Sequence, residues 1–155
     1  MDLLVKLYNL PELAPVLKKL EKRGVLVRRA LAPEKTVVVS WVRSMFSNAW
    51  ADECEVTFSR SPVTTFIAIN GTALLGFACY DAICKNFFGP TGVDSDYRKG
   101  GVGKALLLSA LSAMAADGYA YAIIGGVGPV DYYKKTVNAL EIPKSTPGIY
   151  RGMLG

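Results

Sequence analysis

Residues 92–104 have the sequence GVDSDYRKGGVGK, and this stretch decides how the rest of the chain is interpreted. The residues before it predict a strand from about Asn86 to Val93, and the apolar residues after it predict a buried helix lying across a sheet. A glycine-rich turn at a helix start presents unpaired backbone N–H groups and the positive end of the helix dipole. The stretch therefore predicts an anion site, to which Arg98, Lys99 and Lys104 would add charge-assisted contacts.

Two other phosphate-binding patterns fail on these residues. A nucleoside-triphosphate loop needs a glycine five residues before its Gly-Lys pair, but Arg98 stands there, and Ala105 replaces the Ser or Thr that should follow. The dinucleotide pattern breaks because Leu106 stands where its last glycine should be. The pattern that does match is Arg/Gln-x-x-Gly-x-Gly/Ala, present as RKGGVG at residues 98–103.

This motif resembles the coenzyme-binding loop of the GCN5-related N-acetyltransferase (GNAT) family. The likeness extends upstream through Gly92–Arg98, where Ser95 replaces a frequent proline, and downstream into the helix from Lys104; in all it covers roughly residues 25 to 150. The resemblance implies an α/β fold of the α+β type in a single domain. Its central sheet is expected to be mixed, mostly antiparallel, splayed between the two middle strands and flanked by helices. Acetyl-CoA is the implied co-substrate, and no metal is expected.

The resemblance also implies a role for each part of the loop. The backbone around Thr91–Val93 would pair with the pantetheine arm at the splay, and the Val93 amide would point at the thioester oxygen as an oxyanion-type donor. The amides from Gly101 to Lys104 would hold the pyrophosphate. The expected coenzyme-binding residues are Thr91, Gly92, Val93, Arg98, Lys99, Gly100, Gly101, Val102, Gly103 and Lys104.

A second match lies at residues 131–135, DYYKK, which resemble the family's short helix carrying a tyrosine near the coenzyme sulfur. Tyr133 aligns with that tyrosine. Tyr132 is the reserve, because residues 137–139 depart from the Gly-Phe pair that usually follows. A phenol with a pKa near ~10 is protonated at neutral pH and can donate a proton to the leaving thiolate. The resemblance thus predicts Tyr133 as the general acid.

The chain contains no histidine, so the proton of an attacking amine needs another acceptor. Asp81, near the end of the strand that follows a predicted hairpin turn, is the first candidate for the base. Glu53 and Glu55 are alternatives, and with Trp50 they would equally form an acidic, aromatic-flanked pocket for a cationic substrate. Each carboxylate also fits an ordinary solvated position, as most surface carboxylates do.

The composition sets the broad class of the protein. With 155 residues, of which 51% are hydrophobic, the chain suits one domain, residues 1–155, in which residues 1–24 form an extra strand and helix outside the main resemblance. No apolar run approaches the ~20 residues of a membrane span, and no export signal is visible. Three cysteines at irregular spacing match neither a disulfide framework nor a zinc site, which predicts a cytoplasmic setting.

The sequence therefore predicts an N-acetyltransferase in which a primary amine attacks the thioester directly. The acceptor stays open, and it is expected to be a small-molecule or peptide amine. The alternative is a non-catalytic acyl-CoA-binding sensor or regulatory domain, against which the presence of Tyr133 argues. The net charge of +5 suits a phosphorylated coenzyme. No nucleic acid and no membrane are expected as partners, because the basic residues show neither an interleaved aromatic platform nor a reading helix; a homodimer is expected because family members often pair.

Overall fold

Seven strands form one sheet in this computed structural model, which describes residues 1–155. In chain order they are β1 (Asp2–Lys6), β2 (Leu26–Arg29), β3 (Thr65–Asn70), β4 (Ala73–Tyr80), β5 (Phe87–Val93), β6 (Tyr121–Ile124) and β7 (Leu140–Ile142). Their order across the sheet is β2-β3-β4-β5-β6-β1-β7, and every neighbouring pair is antiparallel except β5 and β6. The mixed, mostly antiparallel sheet of a single α/β domain is confirmed.

Five α-helices cover the two faces of the sheet. They are α1 (Ala14–Glu21), α2 (Lys35–Met45), α3 (Asn48–Thr57), α4 (Val102–Ala116) and α5 (Val130–Val137). The alternation of side chains along β4 separates two apolar cores. Ala78 and Tyr80 join the core that contains residues of α1, α4 and α5, whereas Phe77 and Cys79 join the core beneath α2 and α3. None of the helices has the length and apolar content needed to cross a membrane.

Helix α4 is the buried helix that the sequence predicts. Leu106, Leu107, Leu108 and Leu111 are each at most 1% exposed. Burial of one such side chain stabilises the fold by about 1.5–3 kcal/mol. Gly76 on β4 lies directly beneath the helix, and a Cβ at this position would lie 2.9 Å from Leu106 Cδ1. This close packing holds the N-terminus of α4 at the end of β5.

The sequence predicts a helix from Thr36 to about Trp50 and a shorter helix across Asp52 to Phe58. Both helices exist, but the break between them comes earlier, at Phe46 and Ser47. The first ends at Phe46, whose φ of −129° and ψ of −85° leave the helical region. Ser47 then caps α3, because its hydroxyl accepts the backbone N–H of Trp50 at 3.1 Å. The ring of Phe46 occupies the space where a Cβ on Gly92 would lie. The break therefore brings α3, with Trp50 in its first turn, over the end of β5.

The N-terminal strand lies inside the sheet. Leu3 pairs with Ile124 of β6 on one side and with Glu141 of β7 on the other. The sequence predicts a closing pair of strands at Ala139–Ile142 and Gly148–Leu154. The first is confirmed as β7, and the second is wrong. Residues 148–150 form a 3-10 turn, and Gly148 and Gly152 have φ values of +63° and +74°, which are incompatible with a strand.

Candidate active site

The strands β5 and β6 diverge after only two paired positions. Phe87 pairs with Ile123 and Phe88 with Ile124, and beyond them the two chains separate. A cavity of about 800 Å³ fills the gap. Residues 89–93 line one side of this cavity and residues 125–129 line the other. The splay is therefore an open slot in the sheet that ends at α4.

At the start of α4, backbone N–H groups that have no hydrogen-bond acceptor face this slot. Gly101 is the N-cap residue, with φ of +87° and no side-chain hydrogen bond capping the helix. The first intrahelical bond runs from the Ala105 N–H to the Gly101 carbonyl at 3.1 Å. The backbone N–H groups of Val102, Gly103 and Lys104 thus have no acceptor within the helix. Together with the positive end of the dipole, they form an anion site.

Basic side chains surround the same end of the cavity. Arg98, Lys99 and Lys104 all line it, and Arg98 Nε also donates to the Val93 carbonyl at 3.1 Å. Two of the predicted loop residues do not line the cavity. Gly100 lies against the guanidinium of Arg23, which donates to its carbonyl, and the Val102 side chain is 2% exposed in the core. The remaining predicted residues, Thr91, Gly92, Val93, Gly101 and Gly103, line the cavity with the three cations.

The register of β5 directs one backbone N–H into the slot. The Asp94 N–H donates to the Leu75 carbonyl, on the β4 side, at 2.8 Å. Because successive residues in a strand turn their peptide groups to opposite sides, the Val93 N–H points away from β4. It therefore faces the gap between β5 and β6. A donor fixed in this direction can stabilise charge on an oxygen held in the slot.

Helix α5 brings two tyrosines to the cavity at different places. Tyr133 is 6% exposed, and its ring packs edge-on against Phe88, with the centroids 6.5 Å apart. It therefore lies where the slot closes. Burial raises the pKa of Tyr133 to about 12, with a smaller contribution from Tyr132. The hydroxyl of Tyr132 lies near the anion site instead, since a Cβ on Gly103 would be 3.8 Å from it.

Only one of the three predicted carboxylates lines the cavity, and it is Glu53. Glu55 is exposed and pairs with Lys35 at 3.3 Å. The carboxylate of Asp81 accepts hydrogen bonds from the Asn86 N–H at 2.8 Å and from the Tyr119 hydroxyl at 3.1 Å. These two bonds stabilise the turn between β4 and β5. Asp81 does not line the cavity. Glu53 has no such partner, and its burial against the cavity raises the pKa of its carboxyl.

Sequence reasoning missed several residues of this site. Ile83, Phe87, Tyr150 and Met153 line the cavity beside Trp50 and Glu53. The last two are missed because the sequence predicts a strand over their segment. The basic cluster of Lys18, Lys19, Lys22 and Arg23 predicts a solvated helix end, and nothing in the sequence indicates that Arg23 reaches Gly100.

The chain matches the model of the Acetyltransferase (GNAT) family over residues 28–134. It belongs to the GNAT family. GNAT proteins transfer acetyl groups, generally from acetyl-CoA, to small-molecule or peptide amines. The residues of this GNAT domain fit that coenzyme, because uncapped amides, three cations and a deep slot meet in one cavity. No curated protein shows significant sequence similarity to the chain.

Solved structures share the GNAT fold at low sequence identity. The glucosamine N-acetyltransferase region of a fungal multi-domain GH3 β-N-acetylglucosaminidase matches 88% of this chain with a TM-score of 0.71 and 12% identity. A GNAT protein from Sphaerobacter thermophilus matches 90% with a TM-score of 0.63 and 14% identity. An aminoglycoside acetyltransferase from an uncultured soil metagenomic sample matches 77% with a TM-score of 0.58 and 13% identity. The matches span 19%, 47% and 92% of those chains, respectively.

Proposed function

We propose that this GNAT domain is an acetyl-CoA-dependent N-acetyltransferase in which a primary amine attacks the thioester directly. One observation carries the proposal: a single cavity connects the uncapped amides of α4, the phenol of Tyr133 and the carboxylate of Glu53. An anion site, a proton donor and a proton acceptor thus share one space. Direct transfer requires these three groups within reach of the same two substrates.

The coenzyme end of the cavity would bind the phosphates and the pantetheine arm. Acetyl-CoA supplies the acetyl group as a thioester, which an amine can attack without a covalent enzyme intermediate. The amides of Val102, Gly103 and Lys104 would donate to the pyrophosphate, and Arg98 and Lys99 would add charge. The edge of β5 along Thr91–Val93 would pair with the arm.

The transfer step assigns one task to each of three groups. The N–H of Val93 donates to the acetyl oxygen, which gains negative charge as the amine nitrogen bonds to the carbonyl carbon. Tyr133 protonates the coenzyme sulfur as the C–S bond breaks, and solvent returns a proton to the phenolate. A carboxylate removes a proton from the amine. The products are an N-acetyl amide and free coenzyme A.

We assign the role of base to Glu53 in preference to Asp81. Glu53 lines the cavity and has no competing partner, whereas Asp81 is occupied by Asn86 and Tyr119 outside it. Burial raises the pKa of Glu53. A carboxylate with a raised pKa lies closer to the working pH and is a stronger base.

This role predicts the pH dependence of the reaction. Glu53 must be ionised to accept a proton, so kcat/KM should fall as the pH drops through its raised pKa. Glu53→Gln should lower kcat/KM about 100-fold and remove that acidic limb. Glu55→Gln, on an exposed face of the same helix, is the matched control and should keep the wild-type profile. An acidic limb that persists in Glu53→Gln would exclude Glu53 as the base.

A second prediction concerns the loop that precedes α4. Arg23→Ala should weaken coenzyme A binding about fivefold, because it removes a hydrogen bond worth about 1 kcal/mol to the Gly100 carbonyl. Calorimetry with coenzyme A measures the change. Lys18→Ala, on the helix α1 that precedes Arg23 and without a side-chain contact to the loop, should bind as the wild type does. Equal affinities for Arg23→Ala and the wild type would show that the loop holds its shape without Arg23.

Two measurements test the proposed function. Calorimetry with acetyl-CoA should show one site per chain, and release of free thiol should follow when an amine is added. Acetyl-CoA binding without thiol release from any amine would favour the non-catalytic sensor. Failure to bind acetyl-CoA would overturn the proposal altogether.

A further inference from the structure

A second part of the cavity lining carries none of the basic side chains. We define this acceptor end by six residues that line it: Trp50, Glu53, Ile83, Phe87, Tyr150 and Met153. Three of the six are aromatic, two are aliphatic or thioether side chains, and one is a carboxylate. The class of amine that can bind there is inferred from this lining and rests on the proposed function.

The charges of the cavity are separated. Glu53 is the only carboxylate among the lining residues, and the cations Arg98, Lys99 and Lys104 all lie beside the α4 start. Asp2 lies behind the wall, where its Oδ1 accepts the Gly126 N–H at 3.1 Å, and it is 8% exposed. Glu53 is therefore the one carboxylate in the lining that an ammonium group can contact directly. A second ammonium would lose hydration there without a second carboxylate to contact.

The phenol of Tyr150 and the carboxylate of Glu53 line the same cavity. Burial raises the pKa of Tyr150, and the charge of Glu53 contributes next, ahead of the charges of Asp2 and Cys84. Helix α3 and the C-terminal segment thus each contribute one polar group to this part of the lining. A primary ammonium held there has one charged acceptor and one hydroxyl acceptor.

The aromatic side chains of the acceptor end are apolar, and packing against neighbouring residues fixes their positions. Trp50 packs against Phe46 with ring centroids 5.2 Å apart and against Phe77 at 6.3 Å. Phe87 packs so closely on Gly125 that a Cβ there would lie 2.9 Å from Phe87 Cε2. Fixed aromatic faces favour apolar or aromatic groups and disfavour groups rich in hydroxyls, which would lose hydrogen bonds to water.

We infer that the acceptor is a primary monoamine with a flat, apolar body, of the arylalkylamine type. Its ammonium group would contact Glu53 or Tyr150, and its body would pack against the aromatic side chains of the lining. A polyamine or a polyhydroxylated aminosugar places either extra charges or hydroxyls against these walls. After loss of one proton to Glu53, the amine attacks the thioester, and the N-acetyl amide and coenzyme A leave.

A panel of amines at saturating acetyl-CoA tests the inference by thiol release. The probes are 2-phenylethylamine and tryptamine against spermidine, kanamycin, glucosamine and a lysine-containing peptide. We expect kcat/KM for the two arylalkylamines to exceed that for each of the other four at least about tenfold. A higher kcat/KM for any of those four would overturn the acceptor class and leave acetyl transfer intact.

A binding measurement makes the test independent of turnover. Calorimetry of 2-phenylethylamine with the coenzyme A complex should detect binding that Trp50→Ala weakens about tenfold while the affinity for acetyl-CoA stays unchanged. Val56→Ala is the matched control, because Val56 is an exposed residue of α3 that does not line the cavity. Absence of amine binding, or equal binding by Trp50→Ala and the wild type, would overturn the inference even if no amine releases thiol.

Discussion

We expect Tyr133→Phe to lower kcat about 100- to 1,000-fold and to leave the affinity for acetyl-CoA within about twofold of the wild-type value. The phenol lies at the closed end of the slot, and without it the coenzyme sulfur leaves as an unprotonated thiolate. The variant should fold normally, since the phenol oxygen makes no hydrogen bond to another protein group and its ring still packs against Phe88. Thiol release gives kcat, and calorimetry gives the affinity.

Two further tyrosine variants locate the acid. Tyr121→Phe removes an exposed hydroxyl on β6 and should leave kcat unchanged. A loss of kcat in Tyr132→Phe with none in Tyr133→Phe would assign the role of acid to Tyr132.

The pKa of Tyr133, which burial raises to about 12, provides a pH criterion for the same role. Because the phenol acts in its protonated form, kcat should not decline through Tyr133 between about pH 8 and pH 10.

Gly101→Val should abolish measurable acetyl-CoA binding. The residue has φ of +87°, where a side chain costs about 1–2 kcal/mol, and a β-branched side chain is disfavoured most. No atom lies within 4 Å of the Cβ position, so the loss arises from the backbone and not from a collision. When the loop relaxes to negative φ, the first amides of α4 turn away from the cavity. Calorimetry with acetyl-CoA measures the loss.

The opposite end of the same helix provides the control. Gly118 has φ of +103° and likewise has no atom within 4 Å of its Cβ position. Gly118→Val should therefore lower the melting temperature by a similar amount and retain acetyl-CoA affinity. If both variants lose binding, the cause is global destabilisation. If Gly101→Val binds normally, the pyrophosphate lies elsewhere.

The turn at residues 98–103 and helix α4 could be predicted from the residues themselves, because a local pattern reports directly on local backbone, whereas the sheet and its splay were implied by the resemblance to the GNAT family. The Asn70-Gly71 pair likewise predicts the hairpin between β3 and β4. The break between α2 and α3 was predicted too late, after Trp50, since the apolar periodicity continues through Phe46 and conceals the cap at Ser47. Apolar periodicity indicates which face of a helix is buried and does not indicate where the helix ends.

The acceptor end was the least predictable part of the site. Asp81 was placed first from its position at a strand end, yet its φ of +52° belongs to a tight turn that directs its carboxylate to Asn86. Glu53 and Tyr150 are far apart in the chain, and they line the same cavity only because α3 and the C-terminal segment both pack beside it. Such contacts depend on tertiary packing, which no local pattern encodes.

The position of β1 within the sheet has a consequence for biosynthesis. On the ribosome, Asp2–Lys6 emerges long before its neighbours β6 and β7 have been translated. Leu3 and Val5 are fully buried in the folded protein, and they stay exposed to solvent until β6 and β7 have left the ribosome. Pairings between such distant segments slow folding and leave apolar strands open to aggregation in the meantime. We therefore expect newly synthesised chains to expose this apolar strand until β6 and β7 can pair with it.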